Sequence, residues 1–590
     1  MQCNEKGKRG VNMKTLQKCS EWMTNHKALL ISGLVILGMA FMALITYKFS
    51  VAQVIEADPS YAMLKKLYWG MTAGIFAEIL VMWFFHFIRH RKLAIEKVAM
   101  ITVAFWGLVF MLLLPPFSAA DEDTTYVSCY ALSNTLLGKQ DANEEDFVYM
   151  RSCDVYGLLH RKPGRNDYRT VVSELLTRPT AEEKEMVLCS IQKMDAVFWN
   201  FLPQAIGISI ARLLGLGQIG VLYSARLVNF LVFLALFWFA CKRMPVGKHI
   251  LFVIACFPMT LEQISSMSYD ALVLGLSFYF IALVLDLVYR KESVSTKDII
   301  LMIITMVLLA PTKVIYCMLS LLCFLIPREK FGTKKRYLAT IAVMVIAVSA
   351  SILSAQSGRF AEYIKGSNAT ISYSNDAEQK LMSYEEAVES GAISEDETAL
   401  YTFSIVFHNI PRMVAILGNT IRLQSSEYVE QMFGRYLGWL EIDIPQLSVM
   451  GFFVIFISLM LKRREDPVPT GVQKADFLLV TVIVIGLAYL FMLVGHTYNG
   501  AEYCMGVQGR YFLPVLPLVP MIFWSGRTTV GKKPMVTLEN EKEGSTSGFF
   551  RTDFRYWHYI PTLVLMINML LTWTYFWVFA RIATRIGVNV

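Results

Sequence analysis

The stretch "MLLLPPFSAADEDTTY", residues 111–126, joins a long apolar run to a cluster of acids. The run ends at Pro115 and Pro116, because proline has no backbone N–H with which to continue a helix. Apolar runs of roughly 18–22 residues recur along the chain, and about 20 residues cross the hydrocarbon core of a bilayer as a helix. The stretch therefore predicts a membrane span that ends directly before three acids.

The composition also indicates a membrane protein. Of the 590 residues, 55% are hydrophobic and 17% are charged, and the mean hydropathy is +0.47. The apolar runs are continuous rather than alternating, and helices satisfy their own backbone hydrogen bonds in lipid. The sequence thus predicts an all-α polytopic membrane protein. Basic loops beside anionic lipid explain the net charge of +8, so no nucleic-acid partner is predicted.

Basic loops such as "RHRK" (89–92) and "KRRED" (462–466) predict the orientation, because lysine and arginine are enriched on the cytoplasmic side. The N-terminal head is basic too and is read as a cytoplasmic tail, with a cleaved signal peptide as the alternative. Alternation between the loops predicts about thirteen spans. They lie near residues 28–47, 67–88, 97–116, 219–240, 248–265, 269–289, 298–312, 314–327, 336–355, 445–461, 476–494, 511–524 and 558–580.

Residues 199–217 break this alternation and are interpreted as an interfacial or re-entrant helix on the outer face. Two long loops, 117–198 and 357–444, are predicted outside. The first contains two patterns typical of short helices, "EDTTYVSCYALSNTLLG", which Gly138 would end, and "TAEEKEMVLCSIQKMDAVFW". The predicted divisions are a basic cytoplasmic tail (1–27), a two-span N-terminal addition (28–96), a membrane core (97–525), a cytoplasmic linker (526–557) and a C-terminal span and tail (558–590).

Charged residues on the predicted outer side are the candidate functional groups. Asp121 could cap the helix that follows it, or it could present a carboxylate to a cavity at the membrane surface. Arg226 lies inside a predicted span, where an arginine usually faces a partner in the bundle. Glu262 and Asp270 flank a tight turn, and either could pair with Arg226 or line a cavity.

Two cations complete the set of candidates. Lys313 is the only charged residue between two short predicted spans. Its ammonium group could bind a phosphate, or its side chain could extend to the membrane surface. Arg510 follows three glycines in "GHTYNGAEYCMGVQGRYFLPVLPLVP", residues 495–520. Glycine lets the backbone approach a ligand, and arginine matches phosphate with two parallel hydrogen bonds. The alternative is an interfacial belt of tyrosines with one snorkelling arginine.

Two of these segments together resemble an uncharacterised family of bacterial multi-pass membrane proteins. "PPFSAADEDTTYVSCYALSNTLLG" is similar to its first-loop signature, and "GVQGRYFLPVLPL" is similar to its C-terminal signature. The resemblance covers roughly residues 97–525. That family is grouped with the GT-C superfamily, whose members are integral-membrane glycosyltransferases that use lipid-phosphate-linked sugars. The resemblance thus implies a GT-C-like transmembrane helix bundle in the bacterial plasma membrane, with its active site on the extracytoplasmic face.

The resemblance also implies roles for individual residues. Asp121 and Glu122 would be the catalytic acids, and they would hold a divalent cation such as Mg²⁺ or Mn²⁺ if one is used. The implied partners are a polyprenyl-phosphate-linked sugar, a glycan or lipid acceptor, and the membrane lipids. The substrate-binding residues implied are Arg226, Asp270, Lys313, Gln508, Arg510 and Tyr511.

Two positions depart from the family pattern. Asp123 stands where the family has proline, and Thr125 stands where it has histidine. The reaction expected from the resemblance is an inverting sugar transfer, with Asp121 as base and Arg510 and Lys313 binding the phosphate. Two further hypotheses are a transporter or flippase for a lipid-linked saccharide, and a non-catalytic scaffold for envelope assembly.

Overall fold

The computed structural model describes most of the membrane-embedded part of the chain. The described residues are 27–85, 94–155, 161–365, 401, 406, 409–463, 465–498, 501–526, 529–530 and 559–589. The predicted cytoplasmic tail, almost all of the predicted cytoplasmic linker and the acidic part of the second predicted loop lie outside these residues. The described residues are mainly helical, as the composition predicts.

Long apolar helices dominate the structure and confirm a polytopic membrane protein. Among the described residues, seven helices are long and apolar enough to cross a membrane. They are Leu29–Ala57, Ile95–Leu113, Gln218–Arg243, Asp270–Tyr289, Lys334–Gln356, Gly471–His496 and Ile560–Thr584.

One of the seven helices lies at the centre of the bundle. In the apolar stretch of Asp270–Tyr289, 83% is buried inside the protein. The corresponding values are 22% for Leu29–Ala57 and 17% for Lys334–Gln356. Asp270–Tyr289 packs most extensively against Gln218–Arg243. The two outlying helices therefore present most of their apolar surface away from the protein, as lipid-facing helices do.

The predicted number of thirteen spans is not confirmed. The predicted span 248–265 consists of two short helices, Lys248–Ala255 and Pro258–Ser265, separated at Cys256 and Phe257. Pro258 begins the second helix and has no backbone N–H, so the first helix cannot run on through it. Several other predicted spans correspond to helices shorter than the roughly 20 residues that a span needs. Those helices are Thr296–Thr312, Val314–Leu325 (a 3-10 helix), Gln446–Ser458 and Leu518–Phe523.

Most of the remaining elements are short, and the two longest are the helices Met63–Trp83 and Ile410–Met432. The remaining helices are Met63–Trp83, Glu122–Leu136, Ser152–Val155, Arg165–Glu174, Leu202–Leu213 and Ile410–Met432, and the short 3-10 helices include Phe198–Asn200, Arg328–Phe331 and Gly509–Phe512. The strands pair in twos: Phe147–Arg151 with Met186–Gln192, Arg161–Lys162 with Val588–Asn589, Tyr436–Leu437 with Ile442–Asp443, and Lys462–Arg463 with Thr529–Val530.

The first predicted outer loop is ordered, but one of its two helix predictions is wrong. The helix Glu122–Leu136 forms as predicted, and Gly138 follows it with a left-handed φ of 65°. The second pattern instead forms the strand Met186–Gln192, which pairs with Phe147–Arg151 in antiparallel register. Val187 and Ile191 are β-branched and fit an extended backbone better than a helix. The helical periodicity in this stretch was therefore outweighed by pairing with a distant strand.

The segment that broke the alternation of spans contains the helix Leu202–Leu213. Its 12 residues extend about 18 Å at 1.5 Å per residue, compared with a hydrocarbon core of about 30 Å. The helix packs against Gln218–Arg243 and Glu122–Leu136. Its length agrees with the interfacial or re-entrant interpretation, and its position in the membrane stays a prediction.

The contact between Leu202–Leu213 and Gln218–Arg243 depends on Gly207. A Cβ atom at this position would lie 2.4 Å from the backbone oxygen of Ser224 and 2.8 Å from Cα of Ala225. Both are backbone atoms of a packed helix, so the clash can be relieved only by separating the two helices. We therefore expect Gly207→Ala to lower the free energy of unfolding by about 1–3 kcal/mol, in spite of alanine's higher helix propensity.

Thermal unfolding of the purified chain in detergent measures this effect. Gly418→Ala is the matched control, because Gly418 is an exposed helical glycine with nothing within 4 Å of an added Cβ. Alanine there should leave the Tm unchanged or raise it. Equal Tm values for the two variants would show that the helices are not packed at Gly207 as described.

The N-terminal and C-terminal helices pack against each other and against the core. Tyr68 and Tyr575 stack with their ring centroids 6.1 Å apart. The indole N–H of Trp106, in the core helix Ile95–Leu113, donates to Oδ1 of Asn568 at 2.7 Å. The helices Leu29–Ala57 and Met63–Trp83 thus pack together with Ile560–Thr584 beside the core helix Ile95–Leu113.

The central helix Asp270–Tyr289 carries an acid near each end. Asp270 is its first residue, and Asp286, about 24 Å further along the helix axis, pairs with Arg243 at 3.0 Å and with Arg290 at 3.4 Å. Asp298 pairs with the same two arginines. These basic residues belong to the loops that the charge rule places in the cytoplasm. Asp270 lies at the opposite end, where the candidate site forms.

Candidate functional site

Four charged side chains from distant segments meet at one end of the bundle. Arg510 donates from Nη2 to Oδ2 of Asp121 at 2.9 Å. The other face of its guanidinium approaches Asp270, with Nε 3.8 Å from Oδ2. Nζ of Lys313 contacts Oδ1 of Asp270 at 2.5 Å. The structure therefore brings together four of the residues that the sequence singled out, as two acids and two cations in alternation.

Asp121 is the accessible acid of this cluster. Its side chain is 50% exposed, whereas that of Asp270 is 11% exposed. Asp121 occupies the N-cap position of the helix Glu122–Leu136, but its side chain makes no capping hydrogen bond. The carboxylate is instead directed at Arg510. Capping, the alternative that the sequence allowed, thus does not account for this side chain.

Arg510 is buried and keeps unused hydrogen-bonding capacity. Its side chain is 8% exposed, yet Nε has no hydrogen-bond partner among the described residues. Burial alone would lower the pKa of Arg510, but the charges of Asp270 and Asp121 and the nearby Tyr511 raise it above its ordinary value. A buried guanidinium with a spare donor is suited to binding an oxyanion.

The backbone before Arg510 is held by the helix Ile410–Met432. The N–H of Gly509 donates to Oε1 of Gln431 at 3.0 Å. A Cβ atom at position 509 would lie 2.3 Å from the backbone oxygen of Tyr428, so only glycine allows this approach. The glycine in the "QGRYF" segment therefore allows the backbone packing that sets the position of Arg510.

Lys313 lies between two aromatic rings as well as beside Asp270. Its Nζ is 4.8 Å from the ring centroid of Tyr511 and 5.3 Å from that of Tyr269. Burial alone would lower the pKa of Lys313, but the Asp270 carboxylate raises it above its ordinary value. Lys313 therefore remains a cation at neutral pH. Its backbone is extended between the helix Thr296–Thr312 and the 3-10 helix that follows.

Glu122 and Arg226 form a separate, fully enclosed ion pair. Arg226 donates from Nη2 and Nε to the two carboxylate oxygens of Glu122 at 2.6 and 2.7 Å. Both residues are 1% exposed. Of the two alternatives for Glu262 and Asp270, pairing with Arg226 does not occur, because Glu122 binds its guanidinium. Glu262 instead lines a cavity.

The rest of this ion pair binds backbone groups. Arg226 also donates to the carbonyl oxygens of Leu114 at 2.7 Å and Pro115 at 3.1 Å. Glu122 accepts from the N–H groups of Phe117 at 2.8 Å and Met267 at 3.1 Å. The pair therefore fastens the Pro115–Pro116 turn to two other segments, directly beside Asp121.

The side chains do not fit the divalent cation that the resemblance implied. Within the described ranges, no group of three or more His, Cys, Asp and Glu residues is placed to hold a metal ion. Both oxygens of Glu122 already accept hydrogen bonds from Arg226 and from backbone N–H groups. The carboxylate of Asp121 pairs with a guanidinium. We therefore derive no step through a metal.

The other predicted binding residues lie at the edge of the cluster. Gln508 lines a cavity that Arg510 also borders. The ring of Tyr511 packs near Lys313, and its carbonyl oxygen accepts from the Tyr316 hydroxyl at 2.9 Å. The Asp121 carboxylate also interacts electrostatically with His496, the last residue of a long helix. His496 lies in the stretch 495–520 that the sequence singled out, but it was not among the predicted site residues.

Backbone strain is concentrated around the same cluster. Four non-glycine residues among those described have a left-handed φ: Phe117 (64°), Asp121 (58°), Asp146 (64°) and Leu440 (66°). Phe117 and Asp121 flank the turn after Pro116, and Leu440 lines the cavity beside Arg510. Such residues cost about 1–3 kcal/mol each and cluster at functional sites. No sequence signal predicts this strain, because none of these positions is a glycine.

These features define a polytopic helical membrane protein with a charged site at one end of its bundle. Residues 104–519 match the sequence model of a family described as "Predicted membrane protein (DUF2142)". The chain belongs to this family, which confirms the expected membership of a membrane-protein family over nearly the expected residues. Neither a curated protein nor a solved structure matches the chain.

Proposed function

We propose that the protein is a glycosyltransferase that takes a sugar from a polyprenyl-phosphate donor at the extracytoplasmic face of a bacterial plasma membrane. The observation that carries the proposal is the buried Arg510, whose Nε has no hydrogen-bond partner among the described residues, held beside the half-exposed carboxylate of Asp121. This arrangement offers an anion site and a base side by side. The resemblance to GT-C enzymes supports the same assignment.

The proposed chemistry needs few groups. The acceptor hydroxyl attacks the anomeric carbon, and the bond from that carbon to the phosphate oxygen breaks. The hydroxyl proton passes to Asp121, which acts as general base. The polyprenyl phosphate leaves with the bonding electrons, and its growing negative charge is stabilised by Arg510 and Lys313. A single direct displacement inverts the anomeric centre.

The neighbouring residues then have supporting roles in the proposal. Asp270 lies between the two cations and fixes both of them. Glu122 and Arg226 were expected to be catalytic and substrate-binding, but both are enclosed and their hydrogen-bonding groups engage each other and the backbone. We therefore assign Glu122 and Arg226 to positioning Asp121. Phosphate binding at Arg510 would compete with Asp121 and release its carboxylate towards the acceptor.

The orientation follows from charge. The ion pairs of Arg243 and Arg290 lie at the opposite end of the central helix from Asp270. Basic clusters mark the cytoplasmic side. The candidate site would therefore face the outside, and the N-terminal tail would lie in the cytoplasm. The acceptor would then be a cell-envelope glycan or a lipid-linked acceptor.

A transporter or flippase for lipid-linked saccharides is the second candidate. It is favoured by the short and interrupted helices, notably Lys248–Ala255 followed by Pro258–Ser265, because transporters build binding sites from discontinuous helices. In that case the same cations would bind the phosphate without bond cleavage. The transferase is preferred because it gives the exposed Asp121 carboxylate a function.

Mass spectrometry of a strain that lacks the gene separates these functions. A transferase predicts that a polyprenyl-phosphate sugar accumulates and that one glycan loses a decoration. The accumulated lipid should then lose its sugar when incubated with the purified chain and acceptor. A transporter predicts the same accumulation, with no cleavage of the sugar–phosphate bond in vitro. An unchanged set of lipids and glycans would contradict both functions.

A further inference from the structure

A cavity beside Arg510 is lined in part by residues to which the proposed function assigns no role. We call it the Glu262 cavity. Its free space is about 430 Å³, including the part that is open to the surroundings. Its lining includes Ala120, Glu262, Gln263, Trp439, Gln508 and Arg510. Through Ala120 and Arg510 it adjoins the proposed base and the proposed phosphate position.

The inner wall of the cavity contains buried hydrogen-bond acceptors. Glu262 is 2% exposed, and one of its oxygens accepts from the N–H of Gly438 at 2.6 Å. Gln263 is also 2% exposed, and its Oε1 has no hydrogen-bond partner within the described ranges. A buried acceptor without a partner destabilises the protein, so a ligand that donates hydroxyl hydrogen bonds to this wall would be favoured.

The mouth of the cavity carries an aromatic residue on a constrained loop. Trp439 is 38% exposed and lies between the short strands Tyr436–Leu437 and Ile442–Asp443. Both of its neighbours have a left-handed φ, 67° at Gly438 and 66° at Leu440. Leu440 thus adopts a strained backbone conformation on a loop that lines the cavity. A large, flat, partly apolar ring suits the apolar face of a pyranose or furanose.

We propose that the Glu262 cavity binds a neutral sugar ring beside the phosphate position at Arg510. The inference rests on the proposed function and names the chemical class of its sugar. Arg510 is already paired with Asp121 and lies beside Asp270. Burial raises the pKa of Glu262 to about 8. The wall therefore has no uncompensated charge to attract a charged sugar. A uronate or an amino sugar would lose hydration here without gaining a counter-charge, whereas a neutral ring with several hydroxyl groups avoids that cost.

Saturation-transfer NMR on the full chain in lipid nanodiscs tests the proposal. The probes are methyl glycosides of glucose, galactose, mannose and arabinose, compared with glucuronate and glucosamine. At least one neutral glycoside should receive saturation, and its Kd should rise about tenfold in Trp439→Ala. Glu262→Leu should lose the signal. Trp573→Ala is the matched control, because Trp573 lies beside Met42 and Phe49 and does not line the Glu262 cavity. The Kd of this variant should equal that of the unmodified chain.

Three results would overturn the inference: no saturation of any neutral glycoside, stronger binding of glucuronate or glucosamine, or unchanged binding in Trp439→Ala. Trp439 is partly exposed, so its replacement tests the cavity even if Glu262→Leu fails to fold. Measuring both sugar binding and sugar transfer on the unmodified chain separates this inference from the proposed function. Sugar binding without transfer in the unmodified chain would contradict the transferase alone. Transfer without binding in this cavity would contradict the cavity alone.

Discussion

Asp121→Asn is expected to reduce sugar transfer by about 10²–10⁴-fold, the usual contribution of general base catalysis. Asparagine tolerates the left-handed backbone that Asp121 adopts (φ 58°). Its amide oxygen can still accept from Arg510, but it cannot take the proton of the acceptor hydroxyl. The Tm should therefore stay close to that of the unmodified chain. The assay is release of the sugar from polyprenyl phosphate by the purified chain in nanodiscs.

The neighbouring acid supplies the control for this experiment. Asp123 lies on the same helical turn, and its Oδ1 accepts from the N–H of Thr124 at 2.8 Å. Asp123→Asn makes the same chemical change two residues away and should leave transfer intact. Asp121→Gly should fold stably and remain inactive, because glycine relieves the left-handed strain but has no carboxylate. Transfer by Asp121→Asn within a few-fold of normal would remove Asp121 from the mechanism.

Arg226→Met is expected to lower the free energy of unfolding by about 3–5 kcal/mol, because it leaves the buried carboxylate of Glu122 without its counter-charge. Glu122→Leu should have an effect of similar size. The double variant should lose less than the sum of the two, since no charge then remains buried. It should not recover fully, because the carbonyl of Leu114 and the N–H of Phe117 lose their partners.

Thermal unfolding in detergent reports these effects, and Arg422→Met is the control. Arg422 is an exposed arginine on the helix Ile410–Met432, so its loss should hardly change the Tm. Normal Tm values in the single variants would show that this buried ion pair does not stabilise the fold. Additive losses in the double variant would show that the two side chains are not paired.

The sequence identified most of the charged residues of the site but could not pair them. The sequence singled out Asp121, Asp270, Lys313 and Arg510 because charged residues in or beside membrane spans are costly and usually functional. Which of them touch depends on how helices far apart in the chain pack. Arg226 is the clearest case. Its partner Glu122 is 104 residues away in the chain, and the family resemblance had implied a catalytic role for Glu122.

The fold was predictable in class but not in its count of spans. Hydropathy records how apolar a segment is, and it does not record whether the segment is straight. Residues 248–265 are apolar throughout, yet Pro258 divides them into two short helices. The strand Met186–Gln192 shows the same limit in the loops, because its pairing with Phe147–Arg151 is tertiary. The left-handed Asp121 and Leu440 depend on packing and have no sequence signature.

The ion pair of Glu122 and Arg226 also has a consequence for biogenesis. An unpaired arginine at the centre of a membrane helix costs about 2.5–3.5 kcal/mol, and Arg226 lies about 12 Å from the start of the helix Gln218–Arg243. Glu122 precedes Arg226 by 104 residues, so it is synthesised before the helix Gln218–Arg243 enters the membrane. The helix can then be retained by a neighbour that was inserted earlier. Correct assembly would thus depend on the order of synthesis, and two halves expressed separately would lose this advantage.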